Sequence, residues 1–485
     1  MIKSYACSLE QELAQKAGEL ESQRKQRELQ MVDITLKAIA DRVVSKEAEI
    51  LAMIAANKGL PPQVLREIVI KEILRSADGL LWCREYVERQ KSDQQMLVFT
   101  GTCWEFVEPQ QWKDFVGKCA ELCGVPEPQR MNHAFMKPLY EGVAFNCAAY
   151  RRQQVPDDEV WLNMHNGTLV LGKDGSVTLR EHRKEDLFTY TLSYVYVAEA
   201  ECELWHKFLD RVLPEKEAQQ VLAEFICYCL MKSHALEKML WLYGEGLNGK
   251  SVTLEVIEAL LGSVNVSFLS LSDLTNDDVK RAGIEHKMLN ISHESGKDVN
   301  ANVLKQLTSG ERVLIKHLYV DPRETNDYGK FIAAFNNLPR AEITFGYFRR
   351  LIILPYLITI PSEEIDRELT TKLRRELSGI LNWVLSYLPG LMNRNAFTYS
   401  ASCEKALEQY RLQSDNVRLF LSEQCEASEN TTPGVDLFEA YKKYCYESSL
   451  KNLGRKRFYE RLETLGFEVV MYGNLKYYRI KLLAQ

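Results

Sequence analysis

The chain lacks the features that would place it in a membrane or outside the cell. Within its 485 residues no window approaches the ~18 uninterrupted apolar residues of a membrane span, and the start, MIKSYACSLEQELAQKAGE, has no basic-then-apolar signal pattern. The expected location is cytoplasmic, with no membrane partner. None of the 12 cysteines forms a C-x-x-C pair, which argues against a structural zinc or a disulfide scaffold and for reduced thiols. There is no excess of positive charge: 61 Lys and Arg against 67 Asp and Glu leave −6, so any nucleic-acid surface has to be local. Internal repeats and low-complexity tracts are also absent. The remaining composition, 46% hydrophobic and 26% charged, suits roughly three globular domains.

From Leu9 to about Ile54 there is almost no Gly or Pro, and Leu29, Val32, Leu36, Ile39 and Val43 recur at intervals of 3, 4, 3 and 4, the rhythm of a helix with one apolar seam. Two partners for that seam stay open: the following helix near Gln63 to Ser76, or the same region of another subunit. Gly59-Leu60-Pro61-Pro62 breaks the helix. Between about 96 and 200 the short runs MLVFTG, VWLNMHNGTLVLG and SVTLREH read as strands, with hairpin signals at Asn166-Gly167 and Asp174-Gly175. The expected divisions are a helical region over 1–95, an α+β domain over 96–205, the chemistry-bearing domain over 206–395 and a charged module over 396–485.

Gly244-Glu-Gly-Leu-Asn-Gly249-Lys250-Ser251 matches G-x-x-x-x-G-K-[ST] in full, between an apolar strand (MLWLYG) and an amphipathic helix (SVTLEVIEALLG). Gly244, Gly246 and Gly249 let the backbone turn its N–H groups inward, Lys250 neutralises β and γ charge, and Ser251 offers a hydroxyl to magnesium. Asn248 and Val252 complete the expected nucleotide contacts. A nucleotide triphosphate, ATP with Mg2+, is the expected cofactor.

Later segments say what such a site would do. Met288-Leu-Asn-Ile-Ser-His293-Glu294 reads as a strand ending in an acid; Glu294 there could polarise the attacking water and support magnesium, with His293 a packed neighbour. Phe331 to Phe335 runs into Asn336, an amide able to orient the water and donate to the γ-phosphate. Arg349 and Arg350 precede the apolar run LIILPYL, where a guanidinium suits a finger supplied across a subunit boundary.

The series GEGLNGKS, NISHES, LTSGERVLIKHLYVDP, FIAAFNNLP and YFRRLIILPY resembles, over roughly residues 95 to 485, a superfamily 3 helicase of the phage and plasmid replication branch related to the poxvirus primase-helicase. The resemblance implies a phosphate loop at Gly249, Lys250 and Ser251, a Walker B carboxylate at Glu294, a sensor at Asn336, and a trans-acting finger at Arg350, with Arg349 the second choice. It also implies a β-hairpin between Walker B and sensor that points into the channel of a hexameric ring, where Lys316 and His317 would grip single-stranded DNA. The end of the chain resembles a winged-helix module. From 441 to 485 there are ten Lys or Arg against four Asp or Glu, and Arg455, Lys456 and Arg457 open its expected recognition helix.

The expected fold class is therefore α/β: a P-loop NTPase core, AAA+-like, with N-terminal helical and α+β domains and a C-terminal winged-helix domain. The expected function is ATP-dependent DNA unwinding for a phage, plasmid or mobile element by a homo-oligomer. With no D-x-D pair upstream of the loop, any primase would be a separate protein. The alternatives are an ATP-dependent DNA-binding initiator or switch that does not unwind, and a nucleic-acid-sensing NTPase of phage defence.

Overall fold

The computed structural model describes residues 26–27, 29–57, 61–84, 95–148, 153–293, 299–317, 321–339, 345–448, 450, 452–473 and 475–483. The chain divides into two compact units, Met1–Val197 and Ala198–Gln485.

In the first unit, residues 29–40 are helical, but the helix does not continue to Ile54 as the periodicity suggests. It turns at Asp41 and Arg42 and resumes as Glu47–Asn57. The break is held from outside: the Val44 amide donates to Glu72 (2.9 Å) and the Arg42 carbonyl accepts from Arg75 (3.1 Å), both partners lying on the helix Pro62–Ala77. Glu72 is buried, and its hydrogen bond to Arg75 holds its carboxyl below the usual range. The seam residues Val32, Leu36 and Ile39 bury against Leu65, Val69 and Ile73, so this stretch of seam is covered within the chain. The part of the expected helix before residue 26 lies outside the described residues.

That same core takes in residues on both sides of position 95, including Val98, Phe115 and Leu139. Strands β1 (Leu81–Arg84), β2 (Gln95–Phe99) and β3 (Trp104–Phe106) form one antiparallel sheet. Strands β4 (Glu159–Met164), β5 (Gly167–Gly172) and β6 (Val177–Arg180) form another, turning at the two positions where the hairpin signals stand.

The second unit is built on a five-stranded, wholly parallel sheet. Its strands are β7 (Met239–Tyr243), β8 (Val266–Ser267), β9 (Leu289–His293), β12 (Lys330–Phe335) and β13 (Leu351–Pro355), in the spatial order β13-β7-β12-β9-β8. Every residue of β12 and β13 is buried, the near-continuous burial of parallel strands covered on both faces. Between β9 and β12 sits a short antiparallel hairpin of β10 (Val313–Ile315) and β11 (Arg323–Thr325).

The helix Ala401–Ser414 contributes Ala406, Leu407 and Tyr410 to the core that holds Trp241 and Phe348. The change of packing therefore falls at Asp415, later than the boundary at 396 expected from sequence. Beyond it, helices Asn416–Gln424, Gly434–Glu447 and Arg455–Thr464 pack with a sheet of β14 (Cys425–Pro433), β15 (Val469–Tyr472) and β16 (Leu475–Leu482), ordered β14-β16-β15. Val417, Phe420, Tyr441 and Phe458 fill a core of their own. The polar strand β14 (CEASENTTP) has no sequence signal; β16 recruits it as an edge, with an irregularity between Ala427 and Thr432.

Candidate functional site

The carboxyl ends of β7, β12 and β9 lie side by side, the place where open α/β sheets bind ligands. The chain leaves β7 into the loop 244–249, and the helix Lys250–Leu261 starts at once behind it. Two glycines are required by their surroundings. A Cβ on Gly244 would sit 2.0 Å from the Tyr356 carbonyl oxygen, and Gly249 has φ 87° with Val212 and Phe208 within 2.9 to 3.0 Å of the same position. Nothing lies within 4 Å of a Cβ on Gly246, so packing does not explain that glycine. Leu247 is left-handed as well, at φ 59°, a non-glycine strain of the kind found at functional sites.

Lys250 is buried, and its ammonium donates to the carbonyls of Gly244 (2.6 Å) and Glu245 (3.0 Å) and to Asn248 Oδ1 (2.9 Å). The Asn248 amide donates to the Tyr356 carbonyl (2.9 Å) and to that of Glu245. The chain that follows β13 straps the loop from above: the Tyr356 amide reaches the Tyr243 carbonyl (2.6 Å) and the Ile360 amide reaches the Leu247 carbonyl (2.7 Å). A cation bonded to these neutral oxygens, beside the first amides of a helix (Lys250, Ser251, Val252), makes an anion-attracting cradle. The donor set suits a polyphosphate once the ammonium leaves the three loop oxygens that take up its donors here.

Asn336 is exposed at the end of β12. It follows Phe335, whose carbonyl accepts the Gly244 amide (3.1 Å) and which pairs with Tyr243 in the sheet, so it is the residue directly past the loop's anchor. β9 ends at His293 beside Ala334. The side chain of His293 is exposed at the end of a strand whose other four residues are buried, not packed as the sequence suggested. Partial desolvation nonetheless keeps the imidazole below its ordinary pKa, with Glu255 opposing. Glu294 lies outside the described residues, one position beyond that strand end. Among the described residues no group of three or more His, Cys, Asp or Glu could hold a metal by itself.

The arginines lie elsewhere. Arg349 and Arg350 precede β13, whose first residue pairs with the start of β7, so they occupy the end of the sheet opposite the loop in their own subunit. Arg350, the first choice for the finger, is 12% exposed and donates to Ser309 Oγ (2.8 and 3.1 Å) and the Gly346 carbonyl (2.7 Å). Arg349 is 42% exposed and pairs with Glu237. Neither Glu237 nor Ser309 carries a sequence signal, being 112 and 41 positions away.

Lys316 and His317 follow β10 at the start of the hairpin connection, both exposed. His317 Nε2 lies 3.4 Å from Glu285, a buried carboxylate that Arg323 also engages. Residues 318–320 lie outside the described residues. In the last module Arg455, Lys456 and Arg457 are exposed in the first turn of their helix, Lys456 almost fully, while the Arg455 guanidinium lies 5.3 Å over the Phe438 ring.

Two protein families match parts of the chain: residues 80–214 match one described as D5 N terminal like, and residues 242–350 match a family of unknown function, DUF5906. The second span runs from β7 to Arg350 and so covers the loop, the hairpin and Asn336. A curated relative, "Putative helicase L207/L206" of Acanthamoeba polyphaga mimivirus, is 21% identical over 339 residues, which is 62% of this chain and 34% of the relative. The chain thus spans about a third of that relative's length. The apo structure of the NrS-1 C-terminal region is similar with a TM-score of 0.50 and 11% identity, over 85% of this chain and 99% of that one. This last likeness shows the fold, mixed α/β with a parallel sheet. The D5-like span and the viral relative together give a likeness to a viral protein named as a helicase. No helix among the described residues is long and apolar enough to cross a membrane.

Proposed function

We propose that this chain is an ATP-dependent DNA helicase of the superfamily 3 type, working as a cytoplasmic homo-oligomeric ring, a hexamer, in replication of a phage, plasmid or mobile element. The observation that carries the reading is the meeting of three strand ends: the Gly244–Ser251 loop with its buried Lys250, Asn336 one residue past the loop's anchor, and β9 ending one residue before Glu294. In this reading Lys250 and the amides of Lys250 to Val252 hold the β- and γ-phosphates of ATP. Ser251 and Glu294 hold Mg2+, which neutralises developing phosphate charge. Glu294 polarises the attacking water and Asn336 orients it. An arginine from the neighbouring subunit completes the site, a contribution worth ~10³ to 10⁵ in rate. Lys316 and His317 grip successive phosphates of single-stranded DNA, and the winged-helix module places Arg455, Lys456 and Arg457 on duplex DNA. A primase, where the replication needs one, is a separate protein.

The test is steady-state ATP hydrolysis with and without single-stranded DNA, for the wild type, Lys250→Ala and Glu294→Gln, alongside strand release from a forked duplex. The expected result is a DNA-stimulated rate lost in both variants, with ATP binding lost only in Lys250→Ala, and strand release by the wild type. Unchanged ATP affinity in Lys250→Ala would sink the loop assignment. DNA-stimulated hydrolysis without strand release would leave the initiator reading in place of the helicase.

A further inference from the structure

Four charged side chains meet where the chain enters β7 and β13. Glu237 lies just before β7 in a left-handed conformation, φ 46°, with its amide donating to the His234 carbonyl (2.9 Å). Its Oε2 contacts the Arg349 guanidinium and lies 3.3 Å from that of Arg350. Lys238 adds a third cation, its ammonium donating to the Arg349 carbonyl at 2.6 Å. Two guanidinium groups thus share one carboxylate in direct contact, with the Lys238 ammonium on the Arg349 backbone beside them and Glu404 and Glu311 acting from further away.

The two arginines are held very differently. Arg350 is nearly buried, and its Nε and both terminal nitrogens are bonded to Ser309, Gly346 or Glu237. Moving it would break several bonds and strand a buried charge. Arg349 is 42% exposed and tied through its guanidinium to Glu237. If it swings outward, Glu237 keeps Arg350 as its partner, and the repulsion between two adjacent guanidinium groups is relieved.

We propose that Glu237 is a positioning residue that holds Arg349 in its own subunit until the γ-phosphate of a neighbouring subunit's nucleotide takes it over, with Arg350 the fixed member that keeps the carboxylate paired. This rests on the helicase reading above and changes the order of the two arginines: Arg349 is the group that crosses the boundary. Glu237 and the phosphate compete for one guanidinium, so removing the competitor favours assembly in the active arrangement.

The experiment measures ATP turnover per subunit against protein concentration for the wild type, Glu237→Gln, Glu237→Asp, Arg349→Ala and Arg350→Lys, each checked by thermal unfolding. Glu237→Gln should lower the concentration for half-maximal turnover by about three- to fivefold, the scale of a partly exposed ion pair, with the saturating rate within about twofold of the wild type. Glu237→Asp, one methylene short of bridging both arginines, should shift it the same way. Arg349→Ala should bind ATP, fail to turn it over and poison wild-type rings on mixing, while Arg350→Lys should retain turnover with lowered thermal stability. An unchanged or raised half-maximal concentration in both Glu237 variants overturns the proposal, as does loss of turnover in Glu237→Gln at every concentration. Active Arg349→Ala beside inactive Arg350→Lys overturns it too. A wild type with no ATP turnover defeats the helicase reading itself, and the proposal falls with it.

Discussion

Lys330 provides a quantitative check on the central sheet. It opens β12 with 2% of its surface exposed, donates to the Met231 carbonyl at 2.8 Å and sits 4.6 Å over the Tyr228 ring, and burial pushes its pKa down from 10.5 to about 8. The unfolded chain binds this proton up to about pH 10.5 and the folded chain only to about 8, so the unfolded state holds more protons between those values and stability rises with pH across the window. Below pH 8 the charged form costs the fold about 3 kcal/mol, and at pH 9.5 about 1.4 kcal/mol remains. Lys330→Met removes the proton and should abolish this dependence. It also loses the bond to Met231, at about 1 kcal/mol, so its net gain at neutral pH is about 2 kcal/mol. The informative quantity is the double difference: between pH 7.5 and 9.5 the wild type should gain about 2 kcal/mol on the variant. The Cys229 thiol, which burial holds up at about 12 in the fold and which ionises near 9 in the unfolded chain, adds its own pH dependence in this window, but it does so in both proteins and cancels in the difference, while burial with Lys330 holds His234 down at about 4. Urea unfolding followed by tryptophan fluorescence, with Trp241 buried on the adjacent strand, reports it. A wild-type-minus-variant difference that stays level between the two pH values would refute the buried, proton-shedding lysine.

Other sites make shorter predictions. Gly249→Ala forces a side chain into a left-handed turn against Val212 and Phe208; nucleotide affinity should fall at least about tenfold, the equivalent of 1.4 kcal/mol, and calorimetry finding wild-type affinity would show the turn is not needed for binding. Lys316→Ala with His317→Ala should leave basal ATP hydrolysis intact and remove its stimulation by single-stranded DNA; preserved stimulation would mean that DNA is gripped elsewhere. Replacing Arg455, Lys456 and Arg457 by Ala should weaken duplex binding and lower the slope of log affinity against log salt by up to about 3, whereas an unchanged slope in a fluorescence-anisotropy titration would remove this helix from the DNA contact.

The sequence alone determined the elements whose cause is local. The eight-residue motif, the strand before it and the helix after it follow from residue type and spacing, as do the two hairpin turns of the first unit and the helix that Arg455 opens in the last module, because glycine placement and apolar period act within one element. The tertiary structure decided whatever depends on partners distant in the chain. The helix expected through Ile54 breaks at Asp41 because Glu72 and Arg75 take up its backbone groups, and β14 is a strand because β16 offers it an edge. Asn336 reads as a turn residue by itself; the register of β12 on β7 brings it to the loop. The two arginines are equivalent in sequence, and only packing separates them, one fixed by Ser309 and Gly346 and the other left facing solvent beside a single carboxylate. Local chemistry thus specifies which groups are present, and the long-range pairing of strands and charges specifies which of them can meet.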